Sequence, residues 1–380
     1  MTAIALSEQR RDGWLTISKR RANQHKIKPG EARGAGARAL TQRRQLRTLD
    51  FRLFDWRQPM WTYKRLGLFA SALAGLLVAT APARAADKIT IADVGAGNAT
   101  NWPAYIAEAN GYFRELGVEV EWVSAPSSAA STQQVAAGSA NMSTGGVADP
   151  LRAIDQGAPI RILRIIIGPS PYEVFGAKDV KSLKDVAGKT VMIGGAKDIT
   201  RIYFEDMAKA NGLDPSKVDY VFAGSTASRF AALTSGSIAA TILFPPFTFK
   251  AEGLGYTRLG ASADYTKNFP FTAFSVNQAW AKANKLAIQK FLAGFARGVD
   301  WFYDKANKQA AIDIIVKVTK SDPGDSANAY DFFDKIHAWD RDGSVATSGI
   351  ENFAKILKAQ GEFEGSTDLT RFIDPTLIEK

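Results

Sequence analysis

The chain has 380 residues, with 48 Lys+Arg against 38 Asp+Glu, a formal net charge of +10, and no cysteine. The lack of cysteine excludes disulfides, thiol catalysis and zinc–thiolate sites. The positive charge is local: residues 1–86 carry 17 basic and 5 acidic side chains, leaving 31 basic against 33 acidic in the rest. That nearly neutral remainder gives no electrostatic ground for binding nucleic acid or a membrane surface.

Residues 1–59 are basic, Arg-rich and without apolar periodicity, and are expected to be a disordered extension. An Arg-rich arm for nucleic acid is the competing reading, disfavoured because an export signal follows it. Met60-Trp61-Thr62-Tyr63-Lys64-Arg65 is a short basic segment, Leu66 to Ala81 an apolar run of 16 residues, and Ala83-Arg84-Ala85 a small-x-small cleavage pattern. The spacing predicts a signal peptide over 60–85, since a bilayer span needs about 20 apolar residues. Export without a cysteine for a lipid anchor points to the bacterial periplasm.

The remainder, from about Asp87, is long enough for two cores. Lys88 to Val94 alternates as a strand and runs through Gly95 to Asn101 into a helix from Trp102 to about Asn110, with Asn101 as its expected N-cap and Pro103 in the first turn. Val118 to Val123 is a second strand, followed by Ser127-Ser128 and a helix to Gly138. A third strand is expected to end in a turn of small residues, Ser143-Thr144-Gly145-Gly146, before a helix closed by Gly157. Such a turn lets a ligand approach the backbone at the positive end of a helix. Ile160 to Ile167 reads as a strand covered on both faces. Gly168-Pro169-Ser170-Pro171 then breaks the pattern and marks a crossover.

Beyond it the plan repeats: a strand over Lys189 to Ile193, the turn Gly194 to Asp198 and a helix from Ile199 to Asn211; then Val218 to Phe222, Gly224-Ser225-Thr226 and a helix through Leu233; then a strand over Ser237 to Phe244 ending at Pro245-Pro246. Strands alternating with helices imply parallel sheets, with ligands at the carboxyl ends of the strands. Phe271 to Val276 is predicted to return the chain to the first sheet. The rest is helical: Gln278 to Asn284, Leu286 to Tyr303, Asn307 to Val318, Asp325 to His337 and Val345 to Gln360. In the second of these, Leu286, Ile288, Phe291, Leu292, Phe295, Val299 and Phe302 recur at helical spacing and are expected to pack on a core.

Several segments carry a family likeness. Ala104-Tyr105-Ile106-Ala107-Glu108-Ala109-Asn110-Gly111-Tyr112-Phe113, with Leu116-Gly117-Val118-Glu119 after it, resembles the opening of substrate-binding proteins of the NMT1/THI5-like or aliphatic-sulfonate-binding (SsuA-like) group. Ala136 to Asn141, Ala153 to Ile160, Ser182 to Val191 and Phe274-Ser275-Val276-Asn277 with Trp280-Ala281 follow in the family's order. The resemblance implies a two-lobed α/β periplasmic binding protein, type II-like, with a two-segment hinge and a helical C-terminal portion. It places lobe 1 at 86–168 and 275–380 and lobe 2 at 169–274. It further implies a monomer that captures a small organic anion (sulfonate, taurine, nitrate or aromatic acid) and delivers it to the membrane permease of an ABC transporter with a separate ATPase. No cofactor is expected. At Asn141 the family often has Asp, so no ligand contact is assigned there.

Placing the cleft at the strand ends nominates Asn98, Asn101, Trp102, Ser127, Ser128, Ser143, Thr144 and Gly145 from lobe 1. Lobe 2 contributes Asp198, Thr200, Arg201, Ser225, Thr226, Arg229, Phe244 and Pro245, with Tyr172 beside the hinge. Hydroxyls and helix starts can hold an anion without a full charge, and arginine adds paired donors. The same Ser, Thr and Asn residues would serve equally as helix caps, Trp102 as core, and the arginines as solvated helix residues. Uptake of a thiamine-pyrimidine precursor is an alternative ligand reading. An enzyme of the thiamine-pyrimidine type is disfavoured, because the only histidines are His25 and His337 and there is no cysteine. A receptor coupled to a membrane sensor is a third reading.

Overall fold

The computed structural model describes residues 86–95, 97–266, 269–341 and 347–377. The expected extension over 1–59 and leader over 60–85 lie outside the described residues. Among the described residues, no helix is long and apolar enough to cross a membrane.

The first sheet is entered at β1 (Asp87–Val94), whose Ile89 and Ile91 are fully buried. A single 3-10 turn, Ala99–Asn101, leads into α1 (Trp102–Ala109). Asn98, not Asn101, provides the cap: its side chain accepts from Thr100 N, while Asn101 makes no cap hydrogen bond. After α2 (Tyr112–Glu115) come β2 (Val118–Ala125), α3 (Ser128–Ala136), β3 (Met142–Gly146), α4 (Ala148–Asp155) and β4 (Ile160–Ile167).

The chain then crosses to a second sheet. It begins with β5 (Glu173–Gly176) and continues through β6 (Thr190–Ile193), α5 (Ile199–Ala210), β7 (Asp219–Phe222), α6 (Thr226–Thr234), β8 (Ala240–Leu243), α7 (Phe247–Gly253) and β9 (Thr257–Ala261). It returns as β10 (Thr272–Asn277), followed by α8 (Gln278–Ala283), α9 (Lys285–Tyr303), α10 (Lys308–Thr319), α11 (Pro323–Lys335) and α12 (Thr347–Ala359).

The sheets run β2-β1-β3-β10-β4 and β7-β6-β8-β5-β9. Neither is purely parallel, as alternation of strands and helices had implied. β10 is antiparallel to both β3 and β4, and β5 is antiparallel to both β8 and β9. The reason is connection. A strand that arrives from the other lobe is not bound by the right-handed strand–helix–strand crossover that keeps neighbours parallel. β5, β9 and α7 had no counterpart in the sequence reading, since elements of four to seven residues show little periodicity.

β10 also corrects the Ser143-Thr144-Gly145-Gly146 turn. These residues are strand, paired with Ser275, Phe274, Ala273 and Thr272. Of the C-terminal helices, α9 and α10 pack on α1, while α11 reaches lobe 2, where Phe332 meets Phe249 and Phe333 meets Phe244. On α9 the face formed by Ile288, Phe291, Phe295, Val299 and Phe302 is buried as expected, but Leu286 is 51% exposed. Gly298 lets this helix touch α1, since a Cβ there would lie 2.0 Å from the Pro103 carbonyl oxygen.

Candidate functional site

A cavity of about 130 Å³ lies between the two lobes. Lobe 1 contributes Gly95, Gly97 to Thr100, Ser128, Gly145 and Gly146; lobe 2 contributes Asp198, Ile199, Gly224 to Ala227 and Phe244 to Phe247. Tyr172 and Phe271, at the two crossings, complete the wall. Cavities near 150 Å³ accept a single aromatic ring, which sets the size of solute that fits without further opening.

Local chemistry explains why these residues arrive together. Asp198 and Ser225 cap α5 and α6 by accepting from Thr200 N and Ser228 N. Each therefore sits at a strand-to-helix junction facing lobe 1. The lobes meet without a gap at Gly224, where a Cβ would lie 2.1 Å from the Pro126 carbonyl oxygen. Gly145 similarly makes room for Ser128, whose Oγ would be 2.6 Å from a Cβ. The crossings are tied by a hydrogen bond between the Ser170 and Ser262 hydroxyls, 2.7 Å apart. Tyr172, Phe244 and Phe271 stack edge and face at 5.1–5.7 Å, an aromatic wall beside the hinge.

Of the nominated residues, Asn98, Ser128, Gly145, Asp198, Ser225, Thr226, Phe244, Pro245 and Tyr172 line the cavity. The others do not. Trp102 is core, 1% exposed between Phe333 and Trp339. Ser127 caps α3 by accepting from Ala130 N. Thr200 donates to Asp198 and accepts from Gly194 N. Ser143 is buried in β3. Arg201 pairs with Glu205 at 2.7 Å and covers the Tyr220 ring. Asn141, given no ligand role, accepts from Thr90 N at 2.8 Å and ties β1 to β3.

Asn101 and Thr144 work one layer below the cavity, on a residue that sequence reasoning missed. Thr144 Oγ1 donates to Asp93 Oδ1 at 2.8 Å and Tyr105 OH donates to Asp93 Oδ2 at 3.2 Å. Asn101 Nδ2 donates to Thr144 Oγ1 at 3.3 Å. Burial pushes the Asp93 carboxyl up to about 6, although Thr144 and the other donors pull against it. Only the position of Asp93 at a strand end could have pointed to it.

Arg229, expected on a solvated or ligand-facing surface, is instead fully buried. Its Nε donates to Ile242 O at 2.8 Å; Nη1 donates to Ala223 O at 2.9 Å and to Gly224 O at 2.8 Å. Nη2 donates to Thr226 Oγ1 at 3.0 Å and to Tyr172 OH at 3.3 Å. It thus braces the loop that presents Gly224, Ser225 and Thr226.

A second polar group spans the cleft. Arg152 on α4 donates to the Lys197 carbonyl of lobe 2 at 2.5 Å and to Glu362 at 2.5 and 2.8 Å. Beside it, burial first and then the charge of Asp198 push Asp149 up to about 7, against the Ser128 hydrogen bond and Arg152. Neither Asp149 nor Arg152 was nominated from the sequence.

Two α/β sheets joined by two crossings, clasping a cavity walled by both, define the periplasmic binding protein fold. The NMT1/THI5-like family profile matches residues 98–308, more than half of the chain. The chain belongs to that family. Among curated proteins, it is 20% identical over 285 residues to the putative binding protein YtlA of Bacillus subtilis (strain 168), covering 73% of this chain and 85% of that one. Among solved structures, it is similar to the nitrate-binding protein NrtA of Synechocystis PCC 6803, with a TM-score of 0.66, 15% identity, and coverage of 77% of this chain and 87% of that one. It is also similar to the alkanesulfonate-binding protein SsuA of Xanthomonas axonopodis pv. citri, solved with MOPS, with a TM-score of 0.62, 13% identity, and coverage of 78% and 99%.

Proposed function

We propose that this chain is the solute-binding component of an ABC importer, holding one small organic solute between its lobes in the periplasm and delivering it to a membrane permease served by a separate ATPase. The observation that carries this reading is the cavity itself, whose wall is incomplete unless both lobes contribute. A solute touching Ser128 and Gly145 on one side and Asp198 and Thr226 on the other favours the closed arrangement of the lobes. Among the described residues the cavity is lined by hydroxyls, a carboxylate, backbone and aromatic rings, groups that suit binding and release.

The solute class expected from the sequence, small organic anions, draws support from the nitrate- and alkanesulfonate-binding neighbours. What this cavity offers such an anion is hydroxyls and the N–H groups at the start of α6. The test is a melting-temperature panel on the purified chain with sulfonates, taurine, nitrate, aromatic acids, amines and pyrimidines. A rise with at least one class, confirmed by calorimetry as one site per monomer, is expected. Catalytic turnover of a panel member without any thermal shift would overturn the importer reading.

A further inference from the structure

The charged groups near the cavity are committed unequally. All five N–H donors of Arg229 are spent on three carbonyls and two hydroxyls, leaving none for a solute. Arg201 turns to Glu205, and Arg152 to Glu362 and the Lys197 carbonyl. Among the described residues, no lysine, arginine or histidine lines the cavity.

Asp198 is different. Its Oδ1 accepts both from Thr200 N at 2.9 Å and from Thr200 Oγ1 at 2.5 Å. Its Oδ2 has no hydrogen-bond partner among the described residues, and the side chain is half-buried in the cavity wall. A carboxylate oxygen placed there calls for a donor, and a charged donor makes the stronger bond. In the same cavity Tyr172 OH and Thr226 Oγ1 both accept from Arg229 and hydrogen-bond to each other, which leaves the pair one proton to give. The cavity therefore offers an acceptor at Asp198 and a donor at the Tyr172–Thr226 pair, with Phe244, Phe271 and Pro245 for an apolar body between them.

We infer that Asp198 sets specificity, and that the preferred solute is bipolar, with an amine, amidine or other N–H donor for Asp198 Oδ2 and a carbonyl, carboxylate or sulfonate for the Tyr172–Thr226 pair. The inference rests on the cavity being the solute site proposed above, and narrows its ligand class. A simple anion lacking the N–H group forfeits the bond to Asp198 and meets an unpaired carboxylate instead. An exchange of one charge-assisted hydrogen bond for none corresponds to about tenfold in affinity.

The test uses matched pairs that differ in one amino group: 4-(aminomethyl)benzoate against 4-methylbenzoate, and taurine against ethanesulfonate. Titration calorimetry on the full chain should show the aminated member of at least one pair binding about tenfold tighter. Asp198→Asn keeps an oxygen to cap α5 and removes the charge, so the fold should persist, checked by its melting curve. In that variant the preference should fall to about threefold or less, with the amine-free member unchanged or improved. The inference is overturned if the amine-free member binds as well in the wild-type chain, or if the preference survives in Asp198→Asn. It is equally overturned if neither pair binds while another sulfonate, nitrate or aromatic acid does, and the importer reading then stands. Silence across the entire panel removes the importer reading and this inference together.

Discussion

Each lobe buries a charged side chain beneath its wall of the cavity, and the two are kept by different means. In lobe 1, Asp93 lies under Val94 and Gly95 and receives hydrogen bonds from Thr144 and Tyr105. In lobe 2, Arg229 lies under Gly224 and Thr226 with every donor taken. No acid forms an ion pair with Arg229, and no base with Asp93, among the described residues. A carboxyl can answer burial by holding its proton, and Asp93 does so up to about pH 6. A guanidinium cannot lose its proton, so it must be saturated by carbonyl dipoles instead. The acid is thus a tunable support, and the arginine a fixed one.

The largest effect expected from breaking this contrast is at Arg229. Arg229→Met would strand the Ala223, Gly224 and Ile242 carbonyls, each worth about 1–3 kcal/mol when left unpaired and buried. A loss of about 3–5 kcal/mol in urea denaturation is expected. Arg229→Lys, which supplies fewer donors but keeps the charge, should recover only part. A loss below about 1 kcal/mol in the Met variant would show that the carbonyls find water and that the arginine is no brace.

Asp93 should behave the other way. In the unfolded chain its carboxyl titrates near 3.9, and in the folded chain at about 6. The folded state therefore binds the proton more tightly. The stability this confers is full below about pH 4 and is lost as pH rises through 6. Asp93→Asn should flatten that part of the stability–pH curve and gain on the order of 2 kcal/mol at pH 8 relative to the wild-type chain. An Asn amide also has an acceptor in the same network, since the buried Asn101 Oδ1 lacks a partner. An unchanged slope between pH 4 and 6 would remove Asp93 from the account.

The smallest effect tests the join between the lobes. Gly224→Val would drive a side chain into the Pro126 carbonyl and Ser127, which belong to the opposite lobe. Its cost should appear in solute affinity, weakened about tenfold or about 1.4 kcal/mol, with little change in the stability of the ligand-free chain. If stability falls as far as affinity does, the contact is structural and not a feature of closure.

What the sequence made legible was local chemistry. Asp198 and Ser225 sit at helix starts because their side chains satisfy nearby N–H groups, and that requirement is written within a few residues, although the same logic put the first cap at Asn101 when Asn98 makes it. Ser143 to Gly146 were read as a turn and are strand, because their partner, β10, comes from residues 272–277 and no local pattern records that pairing. Arg229 was nominated for its charge, yet its role depends on carbonyls from Ala223 to Ile242 that converge only once β8 and α6 pack together. Asp93 looked like any polar residue on a strand. Its importance comes from burial, which a single sequence does not display.

The position of β10 has a consequence for the timing of folding. It supplies the strand between β3 and β4, yet it is made after the whole of lobe 2. A chain emerging from the ribosome can complete the second sheet by residue 261, while the first still lacks an interior strand until residue 277. The lobe that begins first therefore finishes last, and a chain halted between those points would leave the facing edges of β3 and β4 unpaired.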